Sequence, residues 1–133
     1  MGIPKSKGLI RISAVQITAL LLWATLLLEQ AAAASVVVGG ENGWTLGIDY
    51  KKWAAATKVK RFDTLNFKYD NSQHNVVRVS KEDYDSCNTV SPLGEFSSGE
   101  DMVKLTEPGT HYYICGLTEH CQLGLKMAIH VHA

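Results

Sequence analysis

Cys115-Gly116-Leu117-Thr118-Glu119-His120-Cys121, together with Gln73-His74-Asn75-Val76-Val77 upstream, is the part of this 133-residue chain that decides its fold. A thiolate and two imidazoles are the donors of a trigonal His2Cys copper site, where soft sulfur and borderline nitrogen suit the ion. Cys115 and His120 stand five residues apart on one turn, and His74 lies 41 residues before Cys115. Donors so separated need a scaffold that closes a loop between two strands onto a neighbouring strand. A β-sandwich does this.

The three cysteines leave one sulfur over. Three pairings are open among Cys87, Cys115 and Cys121. If Cys115 is a thiolate ligand, the remaining pair is Cys87 with Cys121, closing a loop of 34 residues. Such a loop is worth roughly 3–4 kcal/mol in the chain-entropy picture. The bridge would also pin the residue directly after His120.

The N-terminal 34 residues read as a secretory signal. Lys5, Lys7 and Arg11 are basic, Ile12 to Leu28 carries no charge, and Ala31 to Ala34 offers small residues at the cleavage positions. A membrane span needs about 20 apolar residues, and Glu29 and Gln30 stop this run at 17. Cleavage is expected near Ala34, and one residue earlier fits the same pattern. Residues 35–133 then form one domain, large enough for a core but helped by a covalent staple. Without the leader, 10 basic face 12 acidic residues, which gives no reason to expect a nucleic acid or anionic membrane partner. Neither a polar spacer nor an apolar tail precedes Ala133, so no lipid anchor is expected.

Short runs punctuated by turns predict an all-β protein. Strands are expected at Ser35 to Gly39, Arg61 to Tyr69, His74 to Val79, Met102 to Leu105, His111 to Cys115 and Leu125 to Val131, with a short extended piece at Trp44. Helical turns are expected from Asp49 to Thr57 and from Ser80 to Ser86, capped by Asp49 and Ser80. Residues 91–94 and 97–99 read as loops. In the last strand Leu125, Met127, Ile129 and Val131 share a core face, while Lys126, Ala128, His130 and His132 face outward. Met127 reads as core filling. Trp44, Trp53, Phe62 and Phe67 read as core, and Asn75 as a candidate to hold the metal loop. His130 and His132 form an i, i+2 pair of a spacing able to chelate a metal, and read with His111 as solvated surface residues.

These motifs make the chain resemble the phytocyanins, the plant branch of the small blue copper proteins (cupredoxins), and most of all the plantacyanins. The resemblance rests on Val38-Gly-Gly-Glu-Asn-Gly-Trp44-Thr45, Tyr50-Lys-Lys-Trp53, His74-Asn-Val-Val77, Tyr84-Asp-Ser-Cys87, and Tyr113-Ile-Cys115 through His120-Cys121-Gln122. It implies a Greek-key β-sandwich of seven to eight strands, with one type 1 copper ion held by His74, Cys115 and His120 and a disulfide between Cys87 and Cys121. It implies electron transfer rather than enzymatic catalysis, in a secreted, extracellular (apoplast or cell-wall) monomer whose redox partner or cell-wall component is unknown. A copper-free binding or signalling module of the same fold, as in early nodulin-like relatives, is the alternative. Two positions depart from the family. Leu125, without a donor atom, stands where an axial Met or Gln is expected, and the domain is mildly acidic where plantacyanins are basic.

Overall fold

The computed structural model describes residues 2–3 and 8–133, so Lys5 and Lys7, expected to be part of a basic leader, lie outside the described residues. The chain divides into two compact units, residues 1–32 and 33–133. The first contains the helix α1 (Ala14–Ala31). Among the described residues no helix is long and apolar enough to cross a membrane.

The second unit holds eight strands among its described residues. They are β1 (Ser35–Val37), β2 (Val59–Lys60), β3 (Thr64–Lys68), β4 (Val76–Val79), β5 (Gly94–Phe96), β6 (Glu100–Lys104), β7 (Gly109–Ile114) and β8 (Lys126–His132). One sheet has the order β1-β3-β6 and the other β2-β8-β7-β4-β5. β1 runs parallel to β3, β2 runs parallel to β8, and the other pairs are antiparallel. Two short helices lie between strands, α2 (Tyr50–Ala55) and α3 (Lys81–Ser86). Asp49 and Ser80 cap them as expected, accepting from the amides of Lys52 and Asp83.

The core between the sheets follows the alternation of β8: Met127, Ile129 and Val131 are buried with Leu125, which immediately precedes the strand, whereas His130 and His132 are exposed. Trp44, Tyr50, Phe67 and Tyr113 fill the centre. Trp44 meets Phe67 edge-on, with ring centroids 5.3 Å apart.

Several expectations are corrected. Gly94, expected in a loop, instead begins the strand Gly94–Phe96, for which no element was expected and which completes the edge of the larger sheet by pairing Phe96 with Val76. Its three residues are too few to show a period. Trp44 is not in a strand; its amide donates to the Lys68 carbonyl and its ring anchors a loop. Asn66 is buried although it alternates with Leu65 and Phe67 along β3. Phe62 is half exposed. It adopts φ 76° in the turn between β2 and β3, with the Arg61 guanidinium 4.6 Å from its ring centroid.

His111 is buried in β7, 5 % exposed, and not a surface residue. Its Nε2 lies 2.8 Å from the Glu107 carbonyl, while its Nδ1 has no partner among the described residues. Burial holds its pKa below the ordinary 6.5, only partly opposed by that carbonyl. The neutral ring is therefore the folded form. Its contribution to stability is complete above the unfolded-state value and is lost as pH falls through that value toward the lower folded one. Denaturant titrations of wild type and His111→Gln between pH 7 and 5 are expected to show a shallower loss in the variant. Parallel curves would refute this.

Candidate metal centre

Three structural elements converge at one end of the sandwich. Cys115 follows the last residue of β7, His74 sits in the turn just before β4, and His120 lies on the loop joining β7 to β8. β4 and β7 are hydrogen-bonded neighbours, with Val77 opposite Ile114, so His74 and Cys115 leave adjacent strands at the same end. This is why donors 41 residues apart meet. His74 belongs to the turn and not to the strand as expected; its amide donates to the Asp70 carbonyl at 3.0 Å.

The donor atoms form a triangle. His74 Nδ1 and His120 Nδ1 are 3.1 Å apart, and Cys115 Sγ lies 3.9 Å from the first and 3.6 Å from the second. A point about 2.1 Å from all three atoms exists in their plane, which matches the roughly 2.0–2.3 Å bonds that imidazole and thiolate make to a first-row metal. No other group of three metal-binding side chains of this kind occurs among the described residues. Burial keeps His74 below its ordinary pKa, helped by the neighbouring His120 and opposed by Asp70, so the ring favours the neutral, ligating form. Cys115 and His74 are buried, 1 % and 4 % exposed, whereas His120 is half-buried.

Backbone bonds fix the loop. The Leu125 amide donates to the His120 carbonyl at 2.9 Å, and the Leu125 carbonyl accepts from the Cys115 amide at 3.0 Å. One residue thus ties both donor-bearing ends of the loop together. Gly124 makes the reversal possible by taking φ 103°. Cys121, next to His120, is bonded to Cys87 at the C-terminal end of α3, with Cα atoms 5.8 Å apart, and Cys115 is the free thiol. The remaining pairing from the sequence is therefore the observed one.

Asn75 does hold the loop. Its Oδ1 accepts from the Gly116 amide at 2.6 Å, while its backbone carbonyl accepts from the Trp44 indole at 3.0 Å. A Cβ at Gly116 would stand 3.0 Å from Val77 Cγ2 and 3.4 Å from Asn75 Oδ1, so glycine lets the loop approach β4 this closely. Asn75→Ala is expected to cost about 1–2 kcal/mol by leaving the Gly116 amide unpaired, and to lower metal affinity because Cys115 is the preceding residue. Chemical denaturation and a chelator competition measure the two effects. The Asn75 and Gly116 contributions depend on tertiary contact, and only the adjacency of Asn75 to His74 marked it in the sequence. His130 and His132 stand apart from the centre on exposed β8 positions, with ring centroids 4.8 Å apart.

A plastocyanin-like domain family matches residues 44–125, a span that contains all three converging donors. Stellacyanin from Toxicodendron vernicifluum is 39 % identical over 99 residues, covering 71 % of this chain and 92 % of that protein. Early nodulin-like protein 14 from Arabidopsis thaliana is 37 % identical over 77 % of this chain, which spans only 59 % of that relative. The solved structure of cucumber basic protein, a blue copper protein, superposes with a TM-score of 0.67 at 37 % identity, over 73 % of this chain and 98 % of that one. The two-sheet fold, the Cys87–Cys121 bridge, the converging donors and these likenesses place the chain in the plastocyanin-like family, within its phytocyanin branch.

Proposed function

We propose that this protein is a secreted single-electron carrier with one type 1 copper ion held by His74, Cys115 and His120. The observation that carries the reading is the triangle of two Nδ1 atoms and one Sγ at metal-bonding separation. When bound, copper supplies a one-electron couple between Cu(I) and Cu(II). The protein keeps the donors still. Asn75 and Leu125 lock the loop, and Cys121 is covalently tied to α3. Little then needs to move when the charge changes. His120 is half-buried where His74 and Cys115 are buried, so its edge is the one expected to reach solvent and offer the electron its exit. The protein acts on no bond of a substrate in this reading.

Loading purified protein with Cu(II) is expected to give an intense visible thiolate-to-copper absorption and a reversible one-electron voltammetric wave. A colourless protein with no wave would instead favour the copper-free binding module.

Leu125 would stand at the axial position beside a bound copper ion. Its full burial and its backbone bonds to both Cys115 and His120 support the assignment. A leucine there donates nothing to Cu(II) and excludes water, so the site is expected to be more oxidising than one with a thioether. Leu125→Met should lower the reduction potential by roughly 60 mV or more, the one-electron equivalent of a tenfold preference for Cu(II). An unchanged or higher potential in the variant argues against it.

Secretion is proposed through the leader, with cleavage near Ala34. The uncharged run and the division of the chain at residue 32 support it. The redox partner is expected in the same extracellular space.

A further inference from the structure

The alanines preceding β1 allow leader cleavage after Ala33 or after Ala34, since both leave small residues at the positions a signal peptidase reads. The folded domain distinguishes the two products. Ala34 is integrated into it: its amide donates to Asp63 Oδ1 at 2.8 Å and its carbonyl accepts from the Thr64 amide at 2.8 Å. The second bond extends the parallel β1–β3 ladder, in which Ser35 faces Thr64, by one residue. Ala32, Ala33 and Ala34 are all exposed and lie outside both α1 and β1, so these two backbone bonds are what set Ala34 apart.

Asp63 is the other half of the observation. It is 2 % exposed, yet it carries a carboxylate. Its Oδ2 accepts from the Lys60 amide at 2.9 Å, its own amide donates to the Lys60 carbonyl, and its carbonyl accepts from Leu105. Backbone groups from β2 and from the residue after β6 therefore hold it in place, with Oδ1 aimed at the Ala34 nitrogen. A carboxylate this buried is costly unless its charge is answered.

We infer that the mature protein begins at Ala34 and that its new α-ammonium group forms an ion pair with Asp63. Hydrolysis of the Ala33–Ala34 peptide bond by a leader peptidase adds water across it, leaving a carboxylate on Ala33 and a protonated amine on Ala34. The nitrogen that already lies 2.8 Å from Asp63 Oδ1 thereby gains a positive charge at that place. The neutral amide bond becomes a charge-assisted one, which is shorter and roughly twice as strong. Cleavage after Ala34 would instead discard both the donor to Asp63 and the acceptor for Thr64. The inference rests on the secretory reading and adds to it a defined terminus and a structural role for that terminus.

The test begins with full-length chain expressed in a secreting eukaryotic host and mass spectrometry of the exported product. A product starting at Ala34 is expected. One starting at Ser35 overturns this inference alone, whereas a product that retains the leader overturns the secretory reading with it. The second measurement isolates the ion pair. Transamination converts a terminal α-amine to a carbonyl and spares lysine side chains. It is expected to raise the unfolding equilibrium constant of the wild-type product about tenfold, because a charge-assisted partner of a buried carboxylate is lost. In Asp63→Asn the same treatment should change it less than about twofold, since the charge it would pair with is gone. Equal effects in the two proteins overturn the pairing.

Discussion

Cys115→Ser is expected to remove the visible thiolate-to-copper absorption completely and to weaken Cu(I) binding by at least about 100-fold, since a hydroxyl is neither soft nor readily ionised. The fold should survive. Cys115 takes part in no disulfide, and its backbone amide still reaches the Leu125 carbonyl. A serine oxygen in the same place would lie at about the 3.6 and 3.9 Å that separate the sulfur from the two imidazole nitrogens, too far for a hydrogen bond, so a buried hydroxyl is left unpaired and the expected stability loss is about 1–3 kcal/mol. Visible spectroscopy, a competition titration with a Cu(I) chelator and thermal unfolding of the metal-free protein separate the three effects. A variant that stays coloured would show that the sulfur is not the ligand, and the electron-carrier reading would fall with it.

Breaking the disulfide is expected to produce the largest loss of stability. Cys87 and Cys121 close a loop with a sequence separation of 34, for which the chain-entropy model gives roughly 3–4 kcal/mol. For a domain of this size the corresponding fall in Tm is about 15–30 °C. The double variant Cys87→Ala/Cys121→Ala removes the bridge without creating a free thiol. Calorimetry of the metal-free protein reads the stability. The position of the bridge adds a second consequence: Cys121 is the residue after His120, so copper affinity should fall in the same variant although no ligand has changed. If affinity is retained, the Leu125 and Asn75 hydrogen bonds alone suffice to hold the loop.

The donor set, the bridging cysteines and the buried face of β8 were legible in the sequence because each is a local or compositional signal. A Cys and a His five residues apart share a loop whatever surrounds them, and an odd cysteine beside a possible disulfide pair demands a role. Leu125, Met127, Ile129 and Val131 alternate with polar or small residues, and the strand period turns that alternation into a face. Other features became visible only in the folded structure. β5 is three residues long and exists because β4 offers an unpaired edge. His111 looks like any polar strand residue but is enclosed by its sheet.

The sequence by itself determined which atoms can bind a metal and which residues bury a hydrophobic face, because these follow from side-chain chemistry and short-range periodicity. Tertiary structure alone decided that His74 comes within 3.9 Å of Cys115 Sγ, that Asn75 grips Gly116, and that Asp63 points at the nitrogen of Ala34. Those contacts join residues 29 to 41 positions apart. Which distant segments meet is set by strand order and register, which no local pattern in the chain encodes.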